Sequence, residues 1–415
     1  MSPYTLVTGG YAQRSVSVLS FDPTKADPNE RLVVTRELTH GHAPTWLTFS
    51  EDGSTLISTS EWGEPESRLD VLKVDAGDLR EEGPAAGVAT GGLWACQTGL
   101  VVSTTPHLLV TSNYKGASVG VVALEADGTL TRASSIDVLP GRTLGPVTDR
   151  QEQAHPHGAH PDPLHRVVVV PDLGTDDLRL FRVRSGALEA GKPASDALEE
   201  YDAIHLEAGD GPRHVLFSPL RKSSDGSDES RLYVLNELSN SVSVFRVAYP
   251  SRASSPAVPS FTLLQSRVSL LPARPMPHQS SFASWHAAEI VLTPDGRTLF
   301  ASNRAEGHNP LHGSRDGPED LLAVFAVDDE GRLEVESRRL VECGGRAPRH
   351  LSLSSESATR RGEGDSAVDE GRFIAVALHD SDEVVVFERV GDEGRELREV
   401  ARRRDVGRPG VVVWL

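Results

Sequence analysis

Apolar residues along this chain recur in pairs of short runs, and a polar corner separates the two runs of each pair. The second run usually alternates between apolar and polar residues, as a strand with one face in a core does. Seven such pairs occur, and their first runs begin at Thr5, Leu56, Leu108, Val167, Leu232, Leu299 and Phe373. A hairpin of this kind buries its apolar face only against a neighbouring copy, so the pattern predicts a repeat architecture.

A further strand is predicted before the paired runs, because segments with a shared signature precede several of them. The segments APTWLTFS, GPRHVLFS and APRHLSLS, at residues 43–50, 211–218 and 347–354, align without gaps. HAAEIVLTPDG and the degenerate HPHGAHPDPLHR, at residues 286–296 and 155–166, occupy the same place. The turn sequences EDG and PDG then lead into the next strand, as a hairpin requires. Each repeat therefore predicts strands A, B and C, followed by a more variable fourth strand.

Seven such repeats, of about 50 to 75 residues each, predict an all-β fold: a seven-bladed β-propeller of four-stranded antiparallel blades. We expect residues 1–415 to form this single domain, because a ring of repeats can reach this size as one unit. The first repeat lacks strand A, and the chain ends in the strand-like GVVVWL. Pairing of the N- and C-terminal strands would close the ring and remove its open edges.

Four insertions rich in Ser, Gly, Pro and charged residues are predicted to be loops that pack no core. They cover residues 221–230, 249–260, 304–320 and 355–371.

Composition narrows the classes of partner. The formal net charge is −18, from 60 acidic and 42 basic residues, whereas nucleic-acid binding needs a basic surface. A few arginines focused in one pocket can still bind a small anionic substrate. No apolar stretch approaches the ~20 residues of a membrane span, and the N-terminus lacks the features of a secretory signal. Cys96 and Cys343 form no disulfide framework. We therefore expect a cytoplasmic protein that binds neither nucleic acid nor a membrane, with its oligomeric state left open.

Ionisable residues stand where strands A begin and strands B end. Adjacent antiparallel strands run in opposite directions, so these two points lie side by side. The same reasoning applies in four repeats, where it groups Arg213 and His214 with Asn236 and Glu237; His286 and Glu289 with Asn303 and Arg304; His155 and His157 with Asp172; and Arg349 and His350 with His379. Because the innermost strands of a propeller surround its channel, we expect these groups to converge on one mouth.

Several of these residues also have structural interpretations. Asn236 and Asn303 can cap turns, and Asp172 is a common turn former. The histidine-rich AHPHGAH segment, residues 154–160, fits no standard metal motif, so we expect no metal. The chain has no G-x-S-x-G elbow, no G-x-G-x-x-G fingerprint after a strand and no Walker loop, so we expect no cofactor.

The remaining chemistry suits a small anionic acid or lactone. Two guanidinium groups can hold carboxylate or phosphate oxygens and offset a developing oxyanion. Glu237 could move a proton or orient water, and the His157 imidazole could act as acid or base near neutral pH.

The histidine-rich segment, GPRHVLFSP, LYVLNELSNSVSVF and AAEIVLTPDGRTLFASNR together resemble the seven-bladed lactonase family. That family contains bacterial-type 6-phosphogluconolactonases and fungal carboxy-cis,cis-muconate cyclases. The cyclase branch implies catalytic residues that match His157, Arg213, Glu237 and Arg304, with His155 as an alternative to His157. The further residues predicted to bind substrate are His155, His214, Glu289, Asn303 and His350. The chain departs from the family where residues 305–308 read AEGH and residues 60–62 read SEW.

The resemblance implies a lactonase that hydrolyses a small anionic sugar lactone, with 6-phosphogluconolactone as the first candidate. A cyclase that forms the lactone of a muconate-type dicarboxylate is the first alternative. A non-catalytic propeller that only binds a partner is the second, since a fold does not determine function.

Overall fold

The structure is a computed structural model, and it describes residues 3–12, 14–75, 78–80, 87–138, 143–250, 258–273, 285–305, 320–354 and 371–415. Within these residues, seven antiparallel sheets each contain a path of four strands, and one further sheet has two strands. All seven predicted pairs of runs are paired strands, so the predicted all-β repeat is confirmed.

Contacts between residues group the chain into two units. The first comprises Met1–Leu47, Leu72–Gly83 and Ser269–Leu415, and the second comprises Thr48–Val71 and Pro84–Val268. Each unit is described by itself.

The first unit contains a sheet made from both ends of the chain. Its strand order is β3 (Leu32–Thr39), β2 (Ser15–Phe21), β1 (Tyr4–Gly10) and β32 (Pro409–Trp414). In the pairing of β1 with β32, Leu6 lies opposite Trp414. The Thr8 hydroxyl also donates to the carbonyl of Val411 at 2.7 Å. The predicted pairing of the terminal strands is therefore confirmed.

Two more sheets belong to the first unit. One has the order β24 (Trp285–Leu292), β25 (Thr298–Ala305), β26 (Leu321–Ala326) and β27 (Arg339–Glu342). The other has the order β28 (Pro348–Leu353), β29 (Phe373–Leu378), β30 (Glu383–Val390) and β31 (Glu396–Arg404). The second repeat has the strand order β4 (Leu47–Phe49), β5 (Thr55–Ser60), β6 (Arg68–Asp75) and β7 (Asp78–Arg80), with β8 (Val88–Ala89) beside β6.

The second unit contains three full sheets. The first has the order β13 (Leu130–Asp137), β12 (Ser118–Leu124), β11 (His107–Asn113) and β9 (Ala95–Val101). The second has the order β14 (His160–Pro161), β15 (Val167–Asp172), β16 (Asp177–Val183) and β18 (Leu198–His205). The third has the order β19 (Pro212–Phe217), β21 (Asp228–Asn236), β22 (Ser241–Ala248) and β23 (Ser260–Ser269), with β20 (Arg221–Lys222) beside β21. A short parallel pair joins β10 (Thr104–Thr105) to β17 (Gly186–Ala187).

Helical segments among the described residues are single 3-10 turns at Pro28–Glu30, Ala194–Ala197, Val335–Ser337 and Asp392–Gly394. None of these described segments is long and apolar enough to cross a membrane.

The middle strands are buried on both faces, whereas the outer strands alternate. Every residue of β12, β15 and β29 is buried, which explains their nearly continuous apolar sequences. In β3, by contrast, exposed and less exposed residues alternate, because one face of an outer strand meets water. Apolar side chains of neighbouring sheets meet in shared clusters, such as Val110 and Val121 with Val168 and Phe181 in the second unit.

One predicted loop is wrong. Residues 221–230 form a hairpin extension, in which Arg221 pairs with Glu229 and Lys222 pairs with Asp228. Three arginines explain the extension, because Arg221, Arg231 and Arg246 all bind the buried Glu229 carboxylate and so tie the hairpin to the sheet. Most of the other three insertions, residues 251–257, 306–319 and 355–370, lies outside the described residues.

Buried carboxylates fasten the loops that lead into inner strands. In the first unit, the two oxygens of Asp320 accept hydrogen bonds from the backbone N–H groups of Ala305 (3.1 Å) and Ala347 (2.7 Å). In the second unit, Asp176 accepts one from Gly211 at 2.7 Å. Burial raises the pKa of the Asp320 carboxyl to about 7. The two backbone hydrogen bonds lower this pKa, but the effect of burial is larger.

The Asp320→Asn variant tests this burial through the pH dependence of stability. Because the pKa of this carboxyl in the folded protein is higher than in the unfolded chain, its contribution to stability falls as pH rises from about 4 to 7. Asn does not titrate, so the variant should gain stability relative to wild type between pH 5 and pH 8. Urea unfolding at both pH values measures the difference.

Asp52→Asn is the control, because hydrogen bonds from Ser50 and Ser54 lower the pKa of Asp52 to about 2. Its difference from wild type should be the same at pH 5 and pH 8. An Asp320→Asn difference that also stays constant would contradict the raised pKa.

Candidate active site

The register of β19 and β21 brings Arg213 beside Glu237, as the sequence predicts. Pro212 lies opposite Asn236 and His214 opposite Leu235, so the register shifts at Arg213. Such a bulge re-aims the side chain that it contains. The Arg213 Nε atom lies 3.1 Å from Oε2 of Glu237.

A second guanidinium group binds the other oxygen of Glu237. The Arg150 Nη2 atom lies 2.5 Å from Oε1 of Glu237. Glu237 is completely buried and Arg213 almost so, whereas 26% of the Arg150 side chain is exposed. The carboxylate raises the pKa of Arg150 above its usual value, so this group stays cationic. Two guanidinium groups on one carboxylate leave one net positive charge, and Arg150 presents it to solvent.

Aromatic side chains connect the two arginines. Tyr114 forms a hydrogen bond with Arg150, and its ring meets the His157 ring edge-on at 5.3 Å. His157 in turn meets His214 edge-on at 5.3 Å. The Arg213 Nη1 atom lies 3.3 Å from both ring nitrogens of His214, which closes the circuit of contacts. We call these residues the six-residue cluster: Tyr114, Arg150, His157, Arg213, His214 and Glu237.

Burial, and then the Glu237 carboxylate, raise the pKa of Tyr114 to about 12. The phenol therefore keeps its proton near neutral pH and acts as a hydrogen-bonding group.

The two histidines that the sequence left unresolved have different surroundings. The His155 Nδ1 atom lies 3.0 Å from the carbonyl oxygen of Tyr114, and its Nε2 atom lies 3.1 Å from Oε1 of Glu152. Both ring nitrogens of His155 thus face acceptors, and its ring stacks on Tyr114 at 4.2 Å. This arrangement suits a supporting residue and favours His157 as the acid or base.

Cys96, the second residue of β9, packs against His157. Its Sγ atom lies 3.2 Å from the His157 carbonyl oxygen and 3.8 Å from Nδ1 of the same residue. The thiol therefore helps to hold the His157 backbone and ring in place.

The remaining predicted residues lie in the first unit. Arg304 is buried and lies opposite His286, and Asn303 lies opposite Ala287, so their predicted grouping in β24 and β25 is confirmed. The Glu289 Oε2 atom lies 3.8 Å from Nε2 of His350. That these residues act together with the six-residue cluster stays a prediction.

Asp172 is structural, as its alternative interpretation predicts. It is fully buried and accepts hydrogen bonds from the backbone N–H groups of His155 (2.7 Å) and Gly174 (3.1 Å). It also binds Arg179 at 2.8 Å. Its carboxylate thus fixes the segment that carries His157.

Three residues of the second-unit site were missed from the sequence: Tyr114, Arg150 and Cys96. Tyr114 had a usable signal, because it follows Asn113 at a strand end as Glu237 follows Asn236. Arg150 lies in a turn outside the repeated strands, so periodicity does not reveal it. Cys96 belongs to β9, whose sequence lacks the shared signature of the other strands A.

The sequence profile described as "Lactonase, 7-bladed beta-propeller" matches residues 5–414 of this chain. The chain belongs to the seven-bladed β-propeller lactonase family. The predicted fold class is thereby confirmed, and the predicted enzyme class, lactonase, is confirmed at the level of the family.

Individual relatives of this lactonase-family protein carry related names. A "Probable 6-phosphogluconolactonase" of Arthroderma benhamiae is 26% identical over 98% of this chain and 87% of its own length. The 6-phosphogluconolactonase of Bacillus subtilis is 29% identical over 70% of this chain and 65% of its own length. The solved structure of a periplasmic gluconolactonase of Pseudomonas aeruginosa has a TM-score of 0.70 at 24% identity, over 100% of this chain and 99% of that one. That structural likeness supports the fold alone.

A cavity of about 320 Å³ in the second unit shares no residue with the six-residue cluster. Glu51, Asp52 and Glu125 are among its lining residues, so it is poorly suited to an anionic ligand. Among the described residues, no group of three or more His, Cys, Asp or Glu side chains is arranged to hold a metal ion.

The Glu237→Gln variant tests the buried charge at the centre of the cluster. It keeps the size of the side chain but removes the charge that Arg150 and Arg213 share. Breaking a buried pair leaves an uncompensated charge, so we expect a loss of about 3 kcal/mol in the free energy of unfolding. Urea denaturation measures it.

Glu396→Gln is a matched control, because Glu396 pairs with Arg339 at 2.8 Å with both side chains about half exposed. Its loss should be less than about 1 kcal/mol. Equal losses in the free energy of unfolding for the two variants would show that the buried ion pairs of Glu237 contribute no more to stability than an exposed ion pair does.

Proposed function

We propose that this protein hydrolyses a small anionic sugar lactone, with 6-phosphogluconolactone as the first substrate to test. The observation that carries the proposal is the Glu237 carboxylate, which holds two guanidinium groups next to a histidine. The exposed part of Arg150 offers a positive charge to an anionic substrate despite the acidic balance of the whole chain. The names of the relatives support the same reaction class.

In the proposed reaction, His157 accepts a proton from water as the water oxygen attacks the lactone carbonyl carbon. The negative charge that develops on the carbonyl oxygen is stabilised by a guanidinium group, and Arg150 is the more accessible of the two. The bond between the carbonyl carbon and the ring oxygen then breaks. His157 returns its proton to the leaving oxygen, which leaves a hydroxyl group and a carboxylic acid. The carboxylic acid then releases its proton to solvent and becomes a carboxylate.

Glu237 has a positioning role in this proposal. Each of its oxygens faces a guanidinium group, so the carboxylate orients Arg150 and Arg213 rather than carrying the proton. Such fixed charges need no reorganisation when the transition state forms.

Arg304 enters the proposal through the family resemblance alone. A cytoplasmic location and the absence of nucleic-acid and membrane partners also stay predictions.

Hydrolysis should exceed the spontaneous opening of 6-phosphogluconolactone, followed as acid release in a weakly buffered pH assay. His157→Gln should lower kcat by roughly 10²-fold, the scale of a lost general base. His155→Gln should lower it less, because that ring supports Tyr114. Arg304→Ala should remove the acceleration if the resemblance assigns its role correctly.

Arg184→Ala is a matched arginine control, because that side chain is largely exposed and lies outside the cluster. It should keep wild-type activity. If folded wild-type protein turned over neither a sugar lactone nor a muconate, both enzyme functions would fail and the binding scaffold would gain support. Turnover of muconate alone would support the cyclase instead.

A further inference from the structure

Trp94 occupies a backbone position that is repeated in four sheets. The residues that directly precede β9, β19, β28 and β32 all have positive φ angles: Trp94 (59°), Gly211 (56°), Ala347 (53°) and Arg408 (54°). In each case the carbonyl of this residue accepts a hydrogen bond from the residue just after the neighbouring strand; for Trp94 the donor is Tyr114, at 2.9 Å. These positions are therefore equivalent.

The equivalent positions differ in their side chains. Glycine adopts this conformation freely, and alanine is the smallest side chain that must tolerate it. Arg408 reaches Asp380, 3.5 Å away. Trp94 is the bulky aromatic residue of the set, although left-handed backbone is costly for such a residue. Strain of this kind is typical of positions where the side chain has a role.

The Trp94 side chain is exposed, and hydrogen bonds hold the backbone that carries it. Its exposed fraction is 40%. Its loop is held against the corner that follows β11, where the Gly116 N–H donates to the Leu93 carbonyl at 3.0 Å. A Cβ atom on Gly116 would lie only 2.6 Å from the Leu93 nitrogen, so the close approach requires glycine there. The indole is thus a partly exposed apolar platform on a fixed backbone.

This platform is continuous with the six-residue cluster. The Trp94 ring stacks on the Tyr114 ring, with 6.3 Å between centroids and an angle of 14°. Tyr114 contacts both Arg150 and His157. A ligand on the indole would therefore lie one side chain away from the proposed catalytic groups.

A positive charge accompanies the platform. The Lys115 Nζ atom lies 5.0 Å from the centre of the Trp94 ring. Lys115 is exposed, and its four-carbon side chain rotates easily. Its ammonium can therefore leave the indole and contact an anionic group of a bound ligand.

We propose that Trp94 and Lys115 form a subsite for the sugar part of an anionic sugar lactone or of the acid formed from it. The carbon-bound hydrogens of the sugar lie against the indole, and the phosphate lies beside the Lys115 ammonium. The identity of this ligand rests on the proposed lactonase function. An aromatic face with an adjacent charge suits a ligand that combines an apolar face with an anion.

Binding of 6-phosphogluconate, the stable acid product, tests the subsite without turnover. Calorimetry gives the Kd, and tryptophan fluorescence reports on the indole. Trp94→Ala should lose the ligand-dependent fluorescence change and raise the Kd roughly tenfold, the weight of one good aromatic contact. Alanine already occupies the equivalent position at Ala347, so the variant should fold. In kinetics it should raise KM and leave kcat nearly unchanged.

Three further variants separate the contributions. Trp94→Phe should recover part of the affinity, since it restores an aromatic face. Leu93→Ala should bind as wild type does, because this exposed neighbour lies outside the stack. Lys115→Met should weaken binding of 6-phosphogluconate but not of unphosphorylated gluconate.

Unchanged affinity in Trp94→Ala, or an equal loss in Leu93→Ala, would overturn the subsite. So would Trp94-dependent binding of cis,cis-muconate without binding of the sugar acids. Wild-type protein that binds 6-phosphogluconate through Trp94 but hydrolyses no lactone would reject the proposed function and keep the subsite. If wild-type protein hydrolysed the lactone and Trp94→Ala left KM unchanged, the proposed function would stand and the subsite would be rejected. Wild-type protein that neither bound nor converted any probe would reject both the proposed function and the subsite.

Discussion

The antiparallel register within each sheet is the constraint on which the other features depend. Because an inner strand begins where its neighbour ends, the residue before the inner strand meets the corner after the next strand in four of the described sheets. The same hydrogen bond therefore recurs, from Glu237 to Gly211 and from His379 to Ala347. It fixes the backbone of the corner and leaves the side chain there free to vary between repeats.

That separation of backbone from side chain explains how one repeat supports different chemistry. Equivalent corners carry Tyr114, Glu237 and His379 in turn. In the second unit, Glu237 is costly to bury alone, and two guanidinium groups offset that cost. The pairing of Glu237 with Arg150 and Arg213 holds the two guanidinium groups in fixed positions near a histidine. Fixed charges of this kind are the condition for electrostatic catalysis.

Buried carboxylates in the loops also help to fix the positions of the site residues. Asp176 anchors Gly211, and Asp172 anchors the segment that contains His155 and His157. Buried carboxylates are expensive in free energy, and each is compensated by several N–H donors. These hydrogen bonds fix the backbone at the ends of the strands, which lowers the ordering that its side chains need when a ligand binds.

The sequence by itself determined the seven repeats with their paired strands, the terminal pairing and the contact of Arg213 with Glu237. These features follow from hydrophobic periodicity and strand polarity, which are local properties. The hairpin at residues 221–230 was misread because its Ser, Gly and charged residues resemble a loop, whereas Glu229 draws three arginines to it. Only the tertiary structure decided that Arg150 binds Glu237, 87 residues away, and that Tyr114 lies between Trp94 and His157. Such contacts depend on how different repeats pack, and periodicity carries no information about which side chains of different repeats meet.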